Sequence, residues 1–280
     1  MNKEVLIVTD SSCDMPQSYL DENNIKFIPF NINLKEKTFL DRVDINTKEM
    51  FKKIDQAKEI TKTAAISPAK YEEFFAQYAN DYDLVYIGLG SGFSSSYNSA
   101  SLGAEEFDNV FVVDSKNLST GIGLLLNKAV RFKKDGFSAK EIAEKINELV
   151  PLVRSQFVID TLKYLHMGGR CSGTARIFGT ALQLKPLIKV TDNKMDVAKK
   201  PIGFKKGLKS MLDCLEADKD NVDEDMITVT HCLADEDAKY LMEKIPSIVD
   251  HKNIFETQAG CVISTHCGPR TIGILYILKK

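Results

Sequence analysis

The 280-residue chain has no tryptophan, only four histidines and no C-x-x-C pair among its six cysteines, Cys13, Cys171, Cys214, Cys232, Cys261 and Cys267. Disulfide frameworks and zinc sites both need clustered spacing, so reduced thiols filling the core are expected and a metal site is not. Nowhere do about 18 apolar residues run together, which argues against stable membrane insertion. The first apolar run, Val5–Val8, stops at a charged turn, so no secretory leader is expected and the chain reads as cytoplasmic. A basic surplus is missing too. Lys and Arg total 37 against 39 Asp and Glu, a net charge of −2, which speaks against a nucleic-acid partner.

What is present is the composition of a soluble α/β protein, 44% hydrophobic and 27% charged. Runs at 5–9, 26–34, 83–89 and 110–114 read as strands, separated by helical patterns. Asn46 or Thr47 can cap one helix, Ser67-Pro68 another, and Ser138–Glu141 forms a capping box. Strands alternating with helices predict an N-terminal parallel sheet flanked by helices. Beyond Pro151 the pattern changes. Strand candidates at 185–190, 194–199, 226–232, 253–258, 262–265 and 271–278 outnumber helices at 161–167, 205–215 and 235–244. Asp192-Asn193 fits a tight hairpin, which a purely parallel sheet would not contain. The expected division is residues 1–150, an N-terminal α/β domain, and 151–280, a smaller mixed α/β domain. The acidic stretch 216–225 reads as a solvated loop.

In such sheets ligands bind beyond the carboxyl ends of the strands. The richest candidate there is GLGSGFSSSYNSA, residues 88–100. Gly88, Gly90 and Gly92 permit close backbone approach to a ligand, and Ser94, Ser95 and Ser96 fall where the next helix begins. No lysine follows as in a P-loop, G-x-G-x-x-G spacing is absent, and so is G-x-S-x-G. Hydroxyls and amides without a cation suit a carboxylate held by hydrogen bonds. Each residue also has a plainer reading: Ser94 or Ser95 as a helix cap, His266 as a core histidine, Gly168-Gly169 as a helix terminator.

Several motifs in order carry a resemblance. VTDSSCDMP, SGFSSSYNSA, VVDSKNLSTGIG, LKYLHMGGRCS at 162–172, LQLKPLIKV and ISTHCGP together resemble the DegV (FakB-like) fatty-acid-binding family from end to end. The resemblance implies a two-domain fold enclosing one long-chain fatty acid, about C16–C18, in an apolar tunnel, with no cofactor and no catalysis. It maps carboxylate ligands onto Thr63, Ser94, Ser95 and His266, and places Gly169, Arg170 and Arg270 near the head group or portal. It also implies a bacterial protein that presents the carboxylate to a DhaK-like fatty acid kinase for acyl-phosphate formation. Where kinase-coupled members carry an arginine before a basic helix, this chain reads KKPIGFKKGLK, and Arg270 stands where glycine is commoner. From the residues alone two other classes stay open. One is an enzyme acting on a small carboxylate or phosphorylated metabolite through Asp10, Asp114, Arg170 and His266. The other is a lipid-sensing regulatory protein.

Overall fold

The structure, a computed structural model, describes residues 3–171 and 183–280. From its first part come strands β1 (Glu4–Asp10), β2 (Lys26–Ile28), β3 (Asn31–Leu34), β4 (Lys37–Leu40), β5 (Lys62–Ala64), β6 (Tyr82–Gly88) and β7 (Val110–Asp114). The order β2-β1-β6-β7 makes a parallel sheet, and β4-β3-β5 a separate antiparallel one. After Glu4, every residue of β1 is buried, and Val5–Val8 makes the continuous apolar run of a strand covered on both faces.

Helices α1 (Gln17–Glu22), α2 (Thr47–Ala57), α3 (Pro68–Ala76), α4 (Ser96–Gly103), α5 (Thr120–Lys134) and α6 (Ala139–Leu149) alternate with these strands. Their starts follow the expected caps. Asn46 and Glu49 exchange bonds in a capping box, Ser67 accepts from Lys70 N ahead of Pro68, and Ser138 pairs with Glu141.

Strands β8 (Val153–Val158), β9 (Leu187–Thr191), β10 (Lys194–Lys199), β11 (Val222–Cys232), β12 (Ile254–Gln258) and β13 (Thr271–Leu278) form a mixed sheet ordered β10-β9-β8-β13-β11-β12. With them go α7 (Lys163–Gly168), α8 (Phe204–Asp218), α9 (Asp235–Lys244) and α10 (Cys261–Cys267). The hairpin between β9 and β10 turns on Asp192 and Asn193, both at positive φ (46° and 65°), as a two-residue turn of this hand requires. Among the described residues no helix is long and apolar enough to cross a membrane.

Four expectations are corrected. The run 26–34 is two strands in two sheets, divided at Pro29, which has no N–H for a ladder; Phe30 N beyond it donates to Ser11 Oγ at 3.1 Å. Residues 262–265 are helical, within α10. A short apolar run buried on all sides carries no period to separate strand from helix. Strand β8 was not foreseen because Arg154, Ser155 and Gln156 interrupt its apolar signal. Two of these find buried partners, Ser155 Oγ on Asn117 Oδ1 (2.6 Å) and Gln156 Nε2 on Met211 O (3.4 Å). The acidic stretch 216–225 is no loop. It ends α8 and opens β11, where Lys128 Nζ from α5 sits 2.7 Å from Asp223 and 2.5 Å from Asp225.

Candidate functional site

Three elements far apart in sequence bring the predicted residues to one cavity. Strand β5 pairs Thr63 with Ile32 of β3, fixing its side chain at the sheet edge. The loop between β6 and α4 supplies Leu89, Phe93, Ser94 and Ser95, and the last turn of α10 supplies His266. All line a cavity of about 100 Å³ together with Phe30, Ala65, Leu118, Arg170, Met195, Val262, Ile263 and Cys267. Thr63, Ser94, Ser95, Arg170 and His266 are its polar groups, and most of the remaining wall is aliphatic or aromatic. Arg170 is the one cation among the described lining residues. A larger cleft of about 390 Å³ opens elsewhere, lined by Lys116, Arg154, Lys189, Asp192 and Asp218 among others; none of the predicted residues reaches it.

Within the site, Thr63 Oγ1 and His266 Nε2 lie 2.8 Å apart. Burial, reinforced by the nearby Arg170 charge, pulls the His266 pKa down to about 4, so the imidazole is neutral near neutral pH. Its Nδ1 is buried and finds no partner among the described residues. An unpaired lone pair costs less here than a stranded N–H, which favours a hydrogen on Nε2 donated to Thr63 Oγ1. The threonine hydroxyl hydrogen is then available to a ligand. Gly168 packs on the same ring: a Cβ there would stand 2.5 Å from Nδ1.

The start of α10 is held by two aspartates that the sequence reading did not single out for this role. Gly260 N donates to Asp14 Oδ1 (2.8 Å) and Cys261 N to Asp41 Oδ1 (3.0 Å), satisfying free N–H groups at the helix start. Burial pushes Asp14 up to about 7 and Asp41 in the same direction. The only hint in sequence was the position of Asp14 inside VTDSSCDMP.

Ser94 does double service. Its Oγ accepts from Ser96 N at 3.2 Å, so it holds the first turn of α4, and it also lines the cavity; Ser95 makes no capping bond. The glycines before it work differently from the expectation. None of Gly88, Gly90 and Gly92 has positive φ. A Cβ on Gly92 would lie 1.9 Å from Asn193 O, and one on Gly90 2.7 Å from Asn117 N and from Asn193 Oδ1. What approaches the loop is the β9–β10 hairpin, which also donates Asn193 Nδ2 to Ser91 Oγ at 2.6 Å.

The remaining candidates divide. Gly169, at φ 65°, caps α7 with its N–H on Leu165 O and turns the chain into Arg170, whose Nη1 donates to Gly168 O at 2.5 Å. Ser172, the last residue of that motif, lies outside the described residues. Arg270 is not in the cavity lining. It bonds Asp237 through Nε at 2.9 Å and stacks 4.2 Å from the Phe204 ring centroid. Asp10 and Asp114 are also absent from the lining; Asp114 accepts from Ser91 N (3.0 Å), Ser91 Oγ (2.7 Å) and Lys116 N (3.0 Å). Of the four residues of the enzyme reading, Arg170 and His266 line this cavity and Asp10 and Asp114 do not.

The sequence model described as "Uncharacterised protein, DegV family" matches residues 4–279. The chain belongs to the DegV family. A DegV domain-containing protein of Clostridium acetobutylicum is 32% identical over 99% of both chains. Among solved DegV-type folds, a protein of Eubacterium ventriosum described as binding stearic acid has a TM-score of 0.86 at 29% identity, covering 100% of this chain and 99% of its own. A DegV family protein of Thermus thermophilus, described for its fatty acid binding, has a TM-score of 0.89 at 25% identity, covering 98% and 99%.

Proposed function

We propose that this protein is a carrier that binds one long-chain fatty acid, about C16–C18, without transforming it. The carboxylate lies at Thr63, Ser94, Ser95 and His266, and the acyl chain runs into the apolar wall. The observation that carries this reading is the single cavity that gathers these polar groups at one place against Phe30, Leu89, Phe93, Leu118, Met195, Val262 and Ile263. The solved relatives described as binding stearic acid and fatty acid support it.

The energetics suit a hydroxyl-based head group. Each buried methylene contributes about 0.8 kcal/mol, so a C16 chain offers on the order of 10 kcal/mol before association costs of several kcal/mol. The polar end then needs only to fix orientation. At about 100 Å³ the cavity falls short of the roughly 300–1,000 Å³ of ligand pockets, so the tail enters by displacing side chains of the apolar wall.

In this reading the protein hands its carboxylate to a fatty acid kinase. Lys199, Lys200, Lys205, Lys206 and Lys209 are exposed along the end of β10 and the start of α8. Lysines at a helix N-terminus oppose its dipole, so an acidic partner relieves a repulsion that the free protein carries. The test is mass spectrometry of the denatured recombinant protein, followed by kinase assay of the loaded form. Recovery of a C16–C18 acid supports binding, and acyl phosphate made with the organism's own kinase supports presentation. Protein that never takes up fatty acid but turns over a small metabolite refutes the proposal.

A further inference from the structure

The cleft of about 390 Å³ shares no lining residue with the cavity at Thr63 and Ser94. It opens where β9 parts from β8. The ladder between these strands runs from the pair Val158–Leu187 to the pair Ser155–Val190 and ends there, as Asp192 and Asn193 turn the chain into β10. Val153 and Arg154 therefore keep a strand partner only on the β13 side. Register places the charges. Lys189 stands opposite Gln156, so Arg154, two residues earlier on β8, is its diagonal neighbour on the same face, at roughly 7–8 Å. Lys116 enters from the loop between β7 and α5. No ion pair among the described residues reaches these three. The ammonium groups of Lys116 and Lys189 have no hydrogen-bond partner there, and Arg154 Nη1 donates to the carbonyls of Pro151 (3.0 Å) and Val153 (3.4 Å). Asn117 adds an amide to the lining although it is only 4% exposed. Leu118 N, which can only donate, bonds its Oδ1 at 3.1 Å, and Ser155 Oγ donates to the same oxygen at 2.6 Å. That fixes the orientation of the amide, and its Nδ2 hydrogens have no partner among the described residues.

We propose that this cleft is a second binding site, for a small sugar phosphate. Three cations and an amide donor converge on one space, and a phosphate group offers them three acceptor oxygens. Like charges placed as Arg154 and Lys189 are repel each other, and an anion between them relieves that repulsion. Asp192 and Asp218 also line the cleft, and Asp218 Oδ2 accepts from Tyr276 OH at 2.8 Å. As carboxylates they can only accept, so they favour a ligand whose carbon part carries hydroxyl donors. A bare inorganic anion would leave them unsatisfied and most of the space empty, whereas about 390 Å³ falls within the roughly 300–1,000 Å³ of small-molecule sites. The one aromatic ring in the described lining, Tyr276, is 1% exposed, so a nucleobase finds no face to stack on. That favours a sugar phosphate over a nucleotide.

The experiment is isothermal titration calorimetry of the purified full chain at low salt. The probes are ribose 5-phosphate, glucose 6-phosphate, inorganic phosphate and glucose. At least one sugar phosphate should bind with a Kd of about 1 mM or below, about tenfold tighter than inorganic phosphate, and glucose should give no binding heat. Lys189→Gln should weaken that sugar phosphate about tenfold, the worth of one hydrogen bond to a charged group, and Lys116→Gln should act in the same direction. Lys140→Gln, at an exposed position of α6 outside the cleft, should leave the affinity unchanged. Asn117→Asp keeps the oxygen that Leu118 N needs and replaces the amide donor by a carboxylate oxygen, so it should abolish binding. Thermal melting of each variant checks the fold, and the two lysine variants, which break no bond among the described residues, should melt with wild type. Failure of both sugar phosphates to bind at about 1 mM overturns the site. Inorganic phosphate or glucose that binds as tightly as the sugar phosphates overturns it too. So does affinity that survives the Lys116→Gln, Lys189→Gln double variant.

Discussion

Replacing Gly92 by alanine tests how the serine loop is held. The added Cβ would meet Asn193 O at 1.9 Å, with the Asn193 side chain 2.9 Å away. Both contacts are closer than atoms tolerate, and the nearer one is backbone, which cannot rotate aside. The hairpin must therefore withdraw by more than an ångström. Overpacking of this kind costs about 1–3 kcal/mol. Withdrawal also breaks the bond from Asn193 Nδ2 to Ser91 Oγ, worth about 1 kcal/mol. The sum, about 2–4 kcal/mol, should lower the melting temperature by roughly 4–16 °C at the 2–4 °C per kcal/mol typical of chains near this size. Gly169→Ala is the control. Among the described residues nothing lies within 4 Å of its Cβ, and the φ of 65° opposes the change, at about 1 kcal/mol. Differential scanning calorimetry of both variants decides. A Gly92→Ala protein that melts within 1–2 °C (roughly) of wild type, or above Gly169→Ala, would refute the claim that the hairpin seats on this loop.

Thr63→Ala should weaken palmitate binding by about 1–2 kcal/mol, one hydrogen bond to a charged group, measured by displacement of a fluorescent fatty acid from delipidated protein; unchanged affinity places the head group elsewhere. His266 gives a pH signature. Its folded pKa of about 4 lies below its ordinary 6.5, so the unfolded chain protonates first. Its contribution to stability is complete above pH 6.5 and is lost as pH falls toward 4, by up to about 3 kcal/mol. Asp14, raised from 3.8 to about 7, works with the opposite sign, adding stability as pH falls through the same range. Urea denaturation should therefore show that His266→Gln loses less stability on acidification than wild type, and parallel curves would contradict the assigned burial.

Much of the parallel sheet was legible in the sequence because its signals are local. The run at Val5–Val8 is buried and apolar throughout, as in a strand covered on both faces; the caps at Asn46, Ser67 and Ser138 are read from three or four neighbouring residues. Asp192-Asn193 announced its hairpin because few residues accept positive φ in succession. The serine loop announced itself as unusual for a similar reason, and its Gly90 and Gly92 give the room that Asn193 takes. Tertiary structure decided the rest. Residues 262–265 became helix because Asp14 and Asp41, more than 200 positions away, receive the N–H groups of Gly260 and Cys261. Strand β8 accommodates Ser155 and Gln156 only because Asn117 and Met211 O lie opposite them.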